Sequence, residues 1–361
     1  MVWDWYNASM SSELALYRKY RPEKWSEVLG QEHITGVLEG SIKEGRISHA
    51  YLFSGSRGTG KTSVARIFAR ALGVSDNDVS EMDAASNTGV DDVRALQEAV
   101  HTLPFESKHK VYIIDEVHMM SKSAFNALLK TLEEPPAHVI FVLATTDPEK
   151  LPETVISRCQ HFEFRRPTDK ILRDLSMAIA KKEGFALEAS SADLIALLGD
   201  GSFRDTEGIL QKVLSYSPDK KISVEEVLAV TGAPSVTTVN SVIEAIEEGN
   251  AEKGLRAIGE AVSKNVDMKA FAKLVIHKVR SAMLLRYAPS FSESFKEEFS
   301  ETDFNFIKKI SSSKSGKIGP RTLSRLLSVY EESGRAHLPQ LPLELAIVEI
   351  IGQDSREAKV N

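Results

Sequence analysis

The run from Gly55 to Thr62 carries the most specific chemistry in the sequence. It has the pattern G-x-x-x-x-G-K-T, follows the apolar segment Ala50–Phe53 and precedes an amphipathic segment, Ser63–Leu72. Glycines let a backbone wrap an anion with its N–H groups, and a helix N-terminus adds partial positive charge at the same place. The order of strand, loop and helix therefore predicts a phosphate-binding loop, rather than a glycine-rich turn that ends in Lys-Thr by coincidence.

The residues of this loop have separate expected roles. Lys61 is expected to reach the β- and γ-phosphates of a nucleoside triphosphate, and the Thr62 hydroxyl to ligate Mg²⁺. The other residues expected to surround the nucleotide are Gly55, Ser56, Arg57, Gly58, Thr59, Gly60 and Ser63. The loop therefore predicts a nucleoside-triphosphate site that uses Mg²⁺.

Two adjacent carboxylates form a second signature. Asp115 and Glu116 follow the apolar run Val111–Ile114, which is typical of a strand buried in a parallel sheet. Ligands of such sheets bind at the carboxyl ends of the strands. Asp115 is expected to hold Mg²⁺, and Glu116 to polarise the water that attacks the γ-phosphate. The alternative is a strand end with two solvated acids; beside a phosphate loop, the pair indicates a hydrolase.

Two further residues are ambiguous on chemistry alone. Thr146 follows the apolar run Val139–Ala144, so its hydroxyl is expected at the same edge of the sheet. It either senses the γ-phosphate or caps its strand. Arg158 lies in a Ser-Arg-Cys run, and an isolated arginine there reads as a surface residue.

Composition limits the class of protein. The chain has 361 residues, of which 42% are apolar and 27% charged, and a net charge of −6, which gives no global argument for nucleic acid or for anionic membrane. Cys159 is the only cysteine, so neither an internal disulfide nor a cysteine-based zinc site is expected. No apolar run approaches the ~18 residues of a membrane span. A cytoplasmic location and no membrane partner are expected.

The organisation changes along the chain. Segments up to residue 166 alternate between strand and helix patterns, which favours a parallel sheet with helices on both faces. From Thr168 onward the period is helical, with breaks near Gly184, Gly199–Gly201 and Gly232–Pro234. The predicted domains are an α/β domain over 14–166, a three-helix domain over 167–232 and an all-α domain over 233–361. Residues 1–13 are predicted to be a flexible extension.

Several longer motifs carry a family resemblance. The runs that match are Asp115–Met119, Phe125–Pro136, Leu143–Pro148, Ser157–Cys159, Tyr20–Pro22, Gly30–His33 and Gly201–Asp205. Together they closely resemble the gamma/tau subunits of bacterial DNA polymerase III, the AAA+ motors of the sliding-clamp loader. The resemblance implies an AAA+ ATPase domain, a helical lid and a helical collar that joins subunits, with ATP and Mg²⁺ as ligands.

The resemblance also implies roles for single residues. Thr146 corresponds to sensor 1, Arg204 to a sensor 2 that contacts bound nucleotide, and Arg158 to an arginine finger that enters a neighbouring subunit's site. The residues implied to line the adenine are Tyr20, Arg21, Pro22 and Val28 through Gly30. Arg94 and Lys130 are implied candidates for DNA phosphate contacts, although solvated helix charges explain them nearly as well.

The sequence departs from the family in two places. The family usually carries a four-cysteine zinc module after the first loop helix, whereas Leu72–Val79 is here a short polar bridge without cysteine. No zinc is therefore expected. The sequence also ends after the third predicted domain, as a short gamma-like form does. Neutral Asn87 and Gly89 stand where the family often has basic residues, which weakens the predicted DNA surface.

The resemblance predicts a motor that hydrolyses ATP to load a sliding clamp onto primer-template DNA. Its expected partners are delta-like and delta-prime-like subunits, copies of itself, the clamp and DNA. As part of a DNA polymerase III holoenzyme it would be grouped with DNA-directed DNA polymerases. Two alternatives remain: a non-hydrolysing scaffold subunit of the same loader, or another AAA+ DNA-processing ATPase. Intact Lys61, Thr62, Asp115 and Glu116 argue against the scaffold.

Overall fold

The computed structural model describes residues 14–86, 95–96, 98–299, 301–313, 315 and 317–357. The chain divides into two compact units. The first contains the chain up to Lys182 together with Ile195–Gln211, and the second contains Glu183–Leu194 together with the chain from Lys212 onward. The predicted division into three domains is a finer partition and stays a prediction.

A five-stranded parallel sheet forms the centre of the first unit. Its strands, in chain order, are β1 Ala50–Ser54, β2 Val79–Asp83, β3 Lys110–Asp115, β4 Val139–Thr145 and β5 Gln160–Glu163. The spatial order is β2-β3-β4-β1-β5, and every neighbouring pair is parallel. The order places β1 between β4 and the edge strand β5, so the phosphate loop begins one strand in from the edge of the sheet.

Helices cover both faces of this sheet. They are α2 Glu32–Glu44, α3 Lys61–Ala71, α4 Lys122–Glu133 and α5 Glu153–Ile156, and the short helix α1 Leu16–Lys19 precedes them in the chain. One core joins Leu52, Ile114 and Leu143 to α4, and the other joins Phe53, Ile113 and Val142 to α2 and α3. Alternate residues of each central strand thus face opposite cores. The predicted α/β fold with helices on both faces is confirmed.

The edge strand β5 was not predicted from the sequence. Its residues, Gln160, His161, Phe162 and Glu163, are mostly polar and exposed, because only one side of the strand has a neighbour. An apolar run identifies strands that are buried on both faces, and β5 lacks one. The Ser54 hydroxyl lies 2.7 Å from His161 Nε2, which ties the edge strand to β1.

A buried glutamine fixes the start of α2 beside the chain that leaves the sheet. The Gln31 side chain is fully buried, donates from Nε2 to the Arg165 carbonyl at 2.7 Å and accepts from the Arg165 backbone N–H at 3.2 Å. These two bonds satisfy an amide group and a peptide group that would otherwise be buried without partners. The Gly-Gln-Glu-His run therefore has a structural role that the motif alone did not reveal.

The rest of the described chain is mostly helical. Its helices are α6 Asp169–Lys182, α7 Ala189–Leu198, α8 Phe203–Tyr216, α9 Val224–Thr231, α10 Val236–Glu248, α11 Ala251–Ser263, α12 Met268–Tyr287, α13 Ser292–Glu298, α14 Glu301–Ser311, α15 Pro320–Ser333 and α16 Leu341–Glu357. A continuous apolar core that includes Phe271, Val275, Leu326 and Ile347 joins the last seven of these helices to one another. The predicted helical remainder is confirmed in this coarse form.

Three local predictions for the chain need correction. A two-stranded parallel ladder pairs β6 Ala186–Leu187 with β7 Lys221–Ile222, where no strand was predicted, because two-residue strands carry too little pattern to detect. The short helix α13 was also missed. The helical spacing of Val93, Leu96 and Val100 predicts a helix over Val90–Leu103. The observed helix ends at Val100, and its first residues lie outside the described part of the chain.

A membrane-spanning segment is not found in the part of the chain that the structure describes. None of its helices is both long enough and apolar enough to cross a bilayer.

Candidate functional site

The phosphate loop joins the end of β1 to the start of α3. Gly55, Gly58 and Gly60 have φ values of 139°, 74° and 98°, which side-chain-bearing residues rarely adopt. A Cβ at Gly55 would lie 2.5 Å from the Phe164 carbonyl oxygen. The loop conformation therefore requires glycine at these positions, as the pattern predicted, and α3 begins at Lys61 with its N–H groups facing the loop.

Lys61 is a buried cation held by the loop's own backbone. Its side chain is buried, and Nζ donates to the carbonyls of Gly55 at 2.7 Å and Ser56 at 2.9 Å. Burial lowers the pKa of Lys61, while the nearby Glu116 and Asp115 carboxylates act in the opposite direction. Among the described residues Lys61 makes no ion pair, so an anion at the loop would supply the missing countercharge.

The other loop side chains differ in exposure. Thr59 is buried and its hydroxyl donates to the Ser56 carbonyl at 2.9 Å. The Ser56 hydroxyl is buried and has no hydrogen-bond partner among the described residues, which is uncommon for a buried polar group and would be accounted for by a ligand at the loop. Arg57 is exposed and Ser63 is half-buried.

The phosphate loop and the acidic strand end meet directly. Thr62 Oγ1 donates to Asp115 Oδ2 at 2.7 Å. A hydroxyl and a carboxylate at this separation could both ligate one Mg²⁺ after a small shift, since both are the hard oxygen donors that this cation prefers. The sequence prediction that Thr62 and Asp115 share a site agrees with this contact, although their role as metal ligands remains a proposal.

Glu116 has an unusual backbone and one carboxylate oxygen that is held by Thr146. Its φ is 48°, in the left-handed region that non-glycine residues rarely occupy. Glu116 Oε2 accepts from Thr146 Oγ1 at 2.9 Å and from the Thr146 backbone N–H at 3.2 Å. Strained backbone of this kind collects at functional sites. The structure thus brings together Glu116 and Thr146, which the sequence placed on neighbouring strand ends.

His118 and Thr145 belong to the same cluster and were not predicted. His118 Nδ1 lies 3.0 Å from Thr145 Oγ1 and 3.4 Å from Glu116 Oε2. Thr145 is fully buried, and its hydroxyl also accepts from the Asp147 backbone N–H at 3.0 Å. The signal was present in the sequence, because His118 and Thr145 flank the two strand ends that carry Glu116 and Thr146, but a lone histidine after a strand has many explanations.

Arg158 is held by its own chain. NH2 lies 2.7 Å from Glu133 Oε1, and NH1 donates to the Thr154 carbonyl at 2.8 Å. About a third of the side chain is exposed, at 35%. The adjacent Cys159 is largely buried, and burial raises the pKa of its thiol to about 12. Arg158 is therefore reachable from outside, while no described contact brings it to the phosphate loop of its own chain.

Arg204 stands at the start of α8, next to the phosphate loop. The Phe203 backbone N–H donates to the Gly58 carbonyl at 2.9 Å, and a Cβ at Gly58 would collide with the Ser202 hydroxyl. Arg204 itself is exposed, with its guanidinium carbon 4.9 Å from the centroid of the Tyr17 ring. The predicted proximity of Arg204 to the loop agrees with these contacts; Tyr17 was not singled out from the sequence.

The predicted adenine-lining residues lie in the N-terminal segment of the first unit. Arg21 is half-buried, and its pKa is lowered by burial first and by the nearby Arg66 second. The Tyr20 ring lies 5.4 Å from Lys182 Nζ. Pro22 and Val28 are half-buried, and Val28 packs against the core that contains α2 and α3.

The two predicted DNA-contact residues have different outcomes. Lys130 is exposed on α4, as a phosphate-contacting residue must be, and equally as a solvated helix charge is. Arg94 lies outside the described residues, as do Asn87 and Gly89. The structure therefore leaves the DNA contacts as a prediction.

The segment Leu72–Val79, which stands where the family usually has a zinc module, is held in place by Asp78. Asp78 is 1% exposed and accepts backbone N–H groups from Phe105, Glu106 and Ser107. Burial raises its pKa, but these hydrogen bonds outweigh burial and hold the pKa well below its usual value. Within the described ranges, no cluster of three or more histidine, cysteine, aspartate or glutamate side chains could hold a metal ion.

The chain matches one family profile and many curated proteins. The profile is described as DNA polymerase III, delta subunit, and matches residues 30–88 and 73–168. The chain is 37% identical to DNA polymerase III subunit tau of Bacillus subtilis over 93% of its own length, and 34% identical to subunit gamma/tau of Mycobacterium tuberculosis over 96%. The identity to subunit tau of Escherichia coli is 39% over 76% of this chain.

The chain spans only part of these relatives. It covers 63% of the Bacillus subtilis protein, 64% of the Mycobacterium tuberculosis protein and 46% of the Escherichia coli protein. Among solved structures, the Thermotoga maritima RuvB Holliday junction branch migration motor aligns with a TM-score of 0.51 at 22% identity, over 63% of this chain and 79% of that one. This likeness shows that the two chains share a fold over the aligned part.

Proposed function

The chain belongs to the DNA polymerase III gamma/tau family over the span that it shares with these relatives, and we propose that it is an ATP-hydrolysing subunit of a clamp loader. The AAA+ fold implies that it uses a nucleotide and Mg²⁺. The proposed reaction is hydrolysis of ATP to ADP and phosphate, and the proposed outcome is loading of a sliding clamp onto primer-template DNA.

One observation carries the proposal. The Thr62 hydroxyl donates to Asp115 at 2.7 Å, beside the buried Lys61 and the carboxylate of Glu116. Cation, hydroxyl, metal-binding carboxylate and second carboxylate are the set that P-loop phosphoryl transfer requires. A scaffold subunit needs only the fold, so the retention of this complete set favours a hydrolysing subunit.

The residues around the loop would have separate roles in the reaction. The loop N–H groups and Lys61 would bind the phosphates, and Thr62 with Asp115 would hold Mg²⁺. Bound Mg²⁺ supplies positive charge that neutralises the phosphate oxygens. Glu116 would orient the attacking water and accept its proton, after releasing the hydrogen bonds that Thr146 now donates to it.

The remaining site residues would contact the bound nucleotide or an adjacent subunit. Thr146 would act as sensor 1 and Arg204 as sensor 2. Arg158 would enter the site of an adjacent subunit. Its side chain is partly exposed, and none of its described contacts is with the phosphate loop of its own chain, which is compatible with that role. The residues that would line the adenine are Tyr20, Arg21, Pro22 and Val28.

The finer architecture and the partners belong to the same proposal. The α/β domain would be followed by a helical lid over 167–232 and a collar over 233–361 that joins subunits. The proposed partners are delta-like and delta-prime-like subunits, copies of this chain, the clamp and primed DNA. Arg94 and Lys130 remain the candidates for phosphate contacts with that DNA.

Steady-state ATP hydrolysis by the reconstituted loader tests the proposal. Turnover is measured with and without primed DNA plus clamp, for the wild type and for Glu116→Gln. We expect stimulation in the wild type and a loss of about 10²- to 10⁴-fold in Glu116→Gln, because a positioned general base contributes that much. Glu149→Gln, at an exposed position near the same edge of the sheet, serves as the matched control and should behave as the wild type.

Nucleotide binding separates the proposal from its rival. Glu116→Gln should bind ATP as tightly as the wild type, because Lys61 and the loop are unchanged. Tight binding of ATP by the wild type, without turnover when DNA and clamp are present, would instead identify a scaffold subunit.

A further inference from the structure

One face of α8 contacts the N-terminal segment of the chain at three successive positions. Arg204, Glu207 and Gln211 are spaced by three and four residues, so they lie along one side of the helix. Gln211 Oε1 accepts the Leu16 backbone N–H at 3.1 Å, and the Leu16 side chain is buried. The segment that begins at Leu16 is therefore fixed against α8.

Tyr17 makes the contact at the loop end of this face. The Arg204 guanidinium carbon lies 4.9 Å from the centroid of the Tyr17 ring, within cation–π distance. The Arg18 guanidinium carbon lies 5.7 Å from the same centroid. Within the described residues Arg204 makes no ion pair, so the aromatic ring is its main side-chain partner.

The surroundings of Tyr17 are rich in positive charge. Burial lowers the pKa of Arg21 most, and the nearby Arg18 and Arg204 lower it further. Arg66, a further neighbour, is paired with Glu81 at 2.6 Å. The buried Glu207 is the acid that faces Arg21 from α8. Cations held together in this way repel one another, and an anionic ligand would relieve that repulsion.

Arg204 is also tied to the phosphate loop through its helix. The backbone N–H of Phe203, the residue before it, donates to the Gly58 carbonyl at 2.9 Å. The helix start thus fixes the Cα of Arg204 beside the loop, but a long side chain on an exposed position keeps its rotamer freedom. An additional contact must select the orientation of the guanidinium.

We propose that Tyr17 is a positioning residue for Arg204. Its ring holds the Arg204 guanidinium at the loop without a carboxylate partner, so that a nucleoside triphosphate bound there contacts a guanidinium that is already in position. This inference rests on the proposed function, since it assumes a triphosphate at the loop. A ring suits the task because it orders the cation without neutralising it, whereas a carboxylate would compete with the phosphates.

Equilibrium binding of a fluorescent ATP analogue in the presence of Mg²⁺ tests the inference without measuring turnover. We expect Tyr17→Leu to weaken binding about two- to tenfold, and Tyr17→Phe, which keeps the ring face, to stay within about twofold of the wild type. Tyr287→Leu, at a position that is 69% exposed on α12, is the matched control and should leave binding unchanged.

A double-mutant cycle identifies the route of the effect. If Tyr17 acts through Arg204, Tyr17→Leu has no further effect in an Arg204→Ala background. Equal binding by Tyr17→Leu and the wild type, equal weakening by Tyr17→Phe and Tyr17→Leu, or full additivity with Arg204→Ala would each overturn the inference.

Two further outcomes, a Tyr17→Leu variant that does not fold and a wild type that does not bind the ATP analogue, also have defined consequences. If Tyr17→Leu does not fold, Tyr17→Trp takes its place: binding within about twofold of the wild type supports the inference, and a loss beyond about tenfold overturns it. A wild-type chain that binds no ATP analogue would contradict the proposed function itself, and is thereby distinguished from a failure confined to Tyr17.

Discussion

The Glu116 carboxylate accepts both the hydroxyl and the backbone N–H of Thr146, with Oε2 at 2.9 Å from Oγ1 and 3.2 Å from N. These bonds join the ends of β3 and β4, which are neighbours in the sheet. The described hydrogen bonds engage only Oε2, so Oε1 remains able to accept a hydrogen bond from a water molecule. Use of Oε2 for the attacking water would require Thr146 to exchange this partner for another.

Substitution of Thr146 tests this exchange. Thr146→Val removes the hydroxyl but keeps the shape of the side chain. We expect ATP turnover in the assembled loader to fall about tenfold or more, because the hydrogen bond that the released hydroxyl would donate to the charged γ-phosphate is lost. Thr146→Ser keeps the hydroxyl and should retain most of the activity. Equal turnover in Thr146→Val and the wild type would show that the hydroxyl has no part in the reaction.

Mixing of variants tests whether Arg158 acts on a neighbour. In a loader assembled from copies, Arg158→Ala should lower turnover about 10³-fold or more and leave ATP binding unchanged, as the loss of an arginine finger does. Arg256→Ala, which removes another exposed and ion-paired arginine, is the control. A mixture of Arg158→Ala and Glu116→Gln copies should regain activity, since an intact Arg158 can then face an intact Glu116. No recovery in the mixture would indicate a role within one chain.

The pH dependence of stability tests the burial of Glu207. Burial raises the pKa of Glu207 to about 7, with Arg21 acting in the opposite direction. Between pH 4.5 and about 7 the folded chain then holds a proton that the unfolded chain has lost, so the free energy of unfolding falls as pH rises. Glu207→Gln cannot titrate, and its stability relative to the wild type should rise across this window by at most about 3 kcal/mol.

Denaturant unfolding at a series of pH values from 5 to 8 measures this difference. Above pH 7 Glu207 is ionised in both the folded and the unfolded wild type. The difference in the free energy of unfolding between the wild type and Glu207→Gln should therefore become constant there. Parallel curves for the wild type and Glu207→Gln across the whole series would show that Glu207 titrates as an ordinary exposed glutamate.

A buried ion pair in the second unit predicts a large stability effect. Lys278 Nζ lies 2.6 Å from Asp303 Oδ1 and 2.9 Å from Asn240 Oδ1, and its side chain is only 8% exposed. Lys278→Ala leaves the Asp303 carboxylate without this partner, which we expect to lower the free energy of unfolding by about 3–5 kcal/mol.

The matched control for Lys278 is Lys296. Its pair with Glu293 lies at 2.8 Å but is exposed, so Lys296→Ala should cost less than about 1 kcal/mol. Urea unfolding of both variants gives the comparison. A loss at Lys278 as small as that at Lys296 would show that water reaches the buried pair.

The sequence was sufficient where a single element determines the chemistry. The P-loop glycines, Lys61 and Thr62 lie within one run, and the apolar strands β3 and β4 each end at a residue whose position on the sheet edge follows from strand polarity. Gly45, a usual stop at the end of a helix, predicts a helix over Glu32–Glu44, and the observed helix has these bounds, with Gly45 in the left-handed conformation.

The sequence was insufficient where function depends on contacts between distant segments. Tyr17 reaches Arg204 across 187 positions, and Gln31 reaches Arg165 across 134. Neither pair has a local pattern, since periodicity describes faces of single elements and not their partners. The edge strand β5 was missed for a related reason, because its mostly polar and exposed residues lack the apolar run that identifies a central strand.

The position of β5 in the sheet has a mechanical consequence. A single residue, Cys159, separates Arg158 from β5, and β5 pairs with β1 from Tyr51 to Ser54, the last residue before the phosphate loop. The strand that leads to the phosphate loop is thus hydrogen-bonded to the strand that follows Arg158. In the proposed ring of such chains, movement of Arg158 in a neighbour's site would be transmitted through this strand pair to the phosphate loop of its own chain. Each nucleotide site would then be mechanically coupled to the next one around the ring.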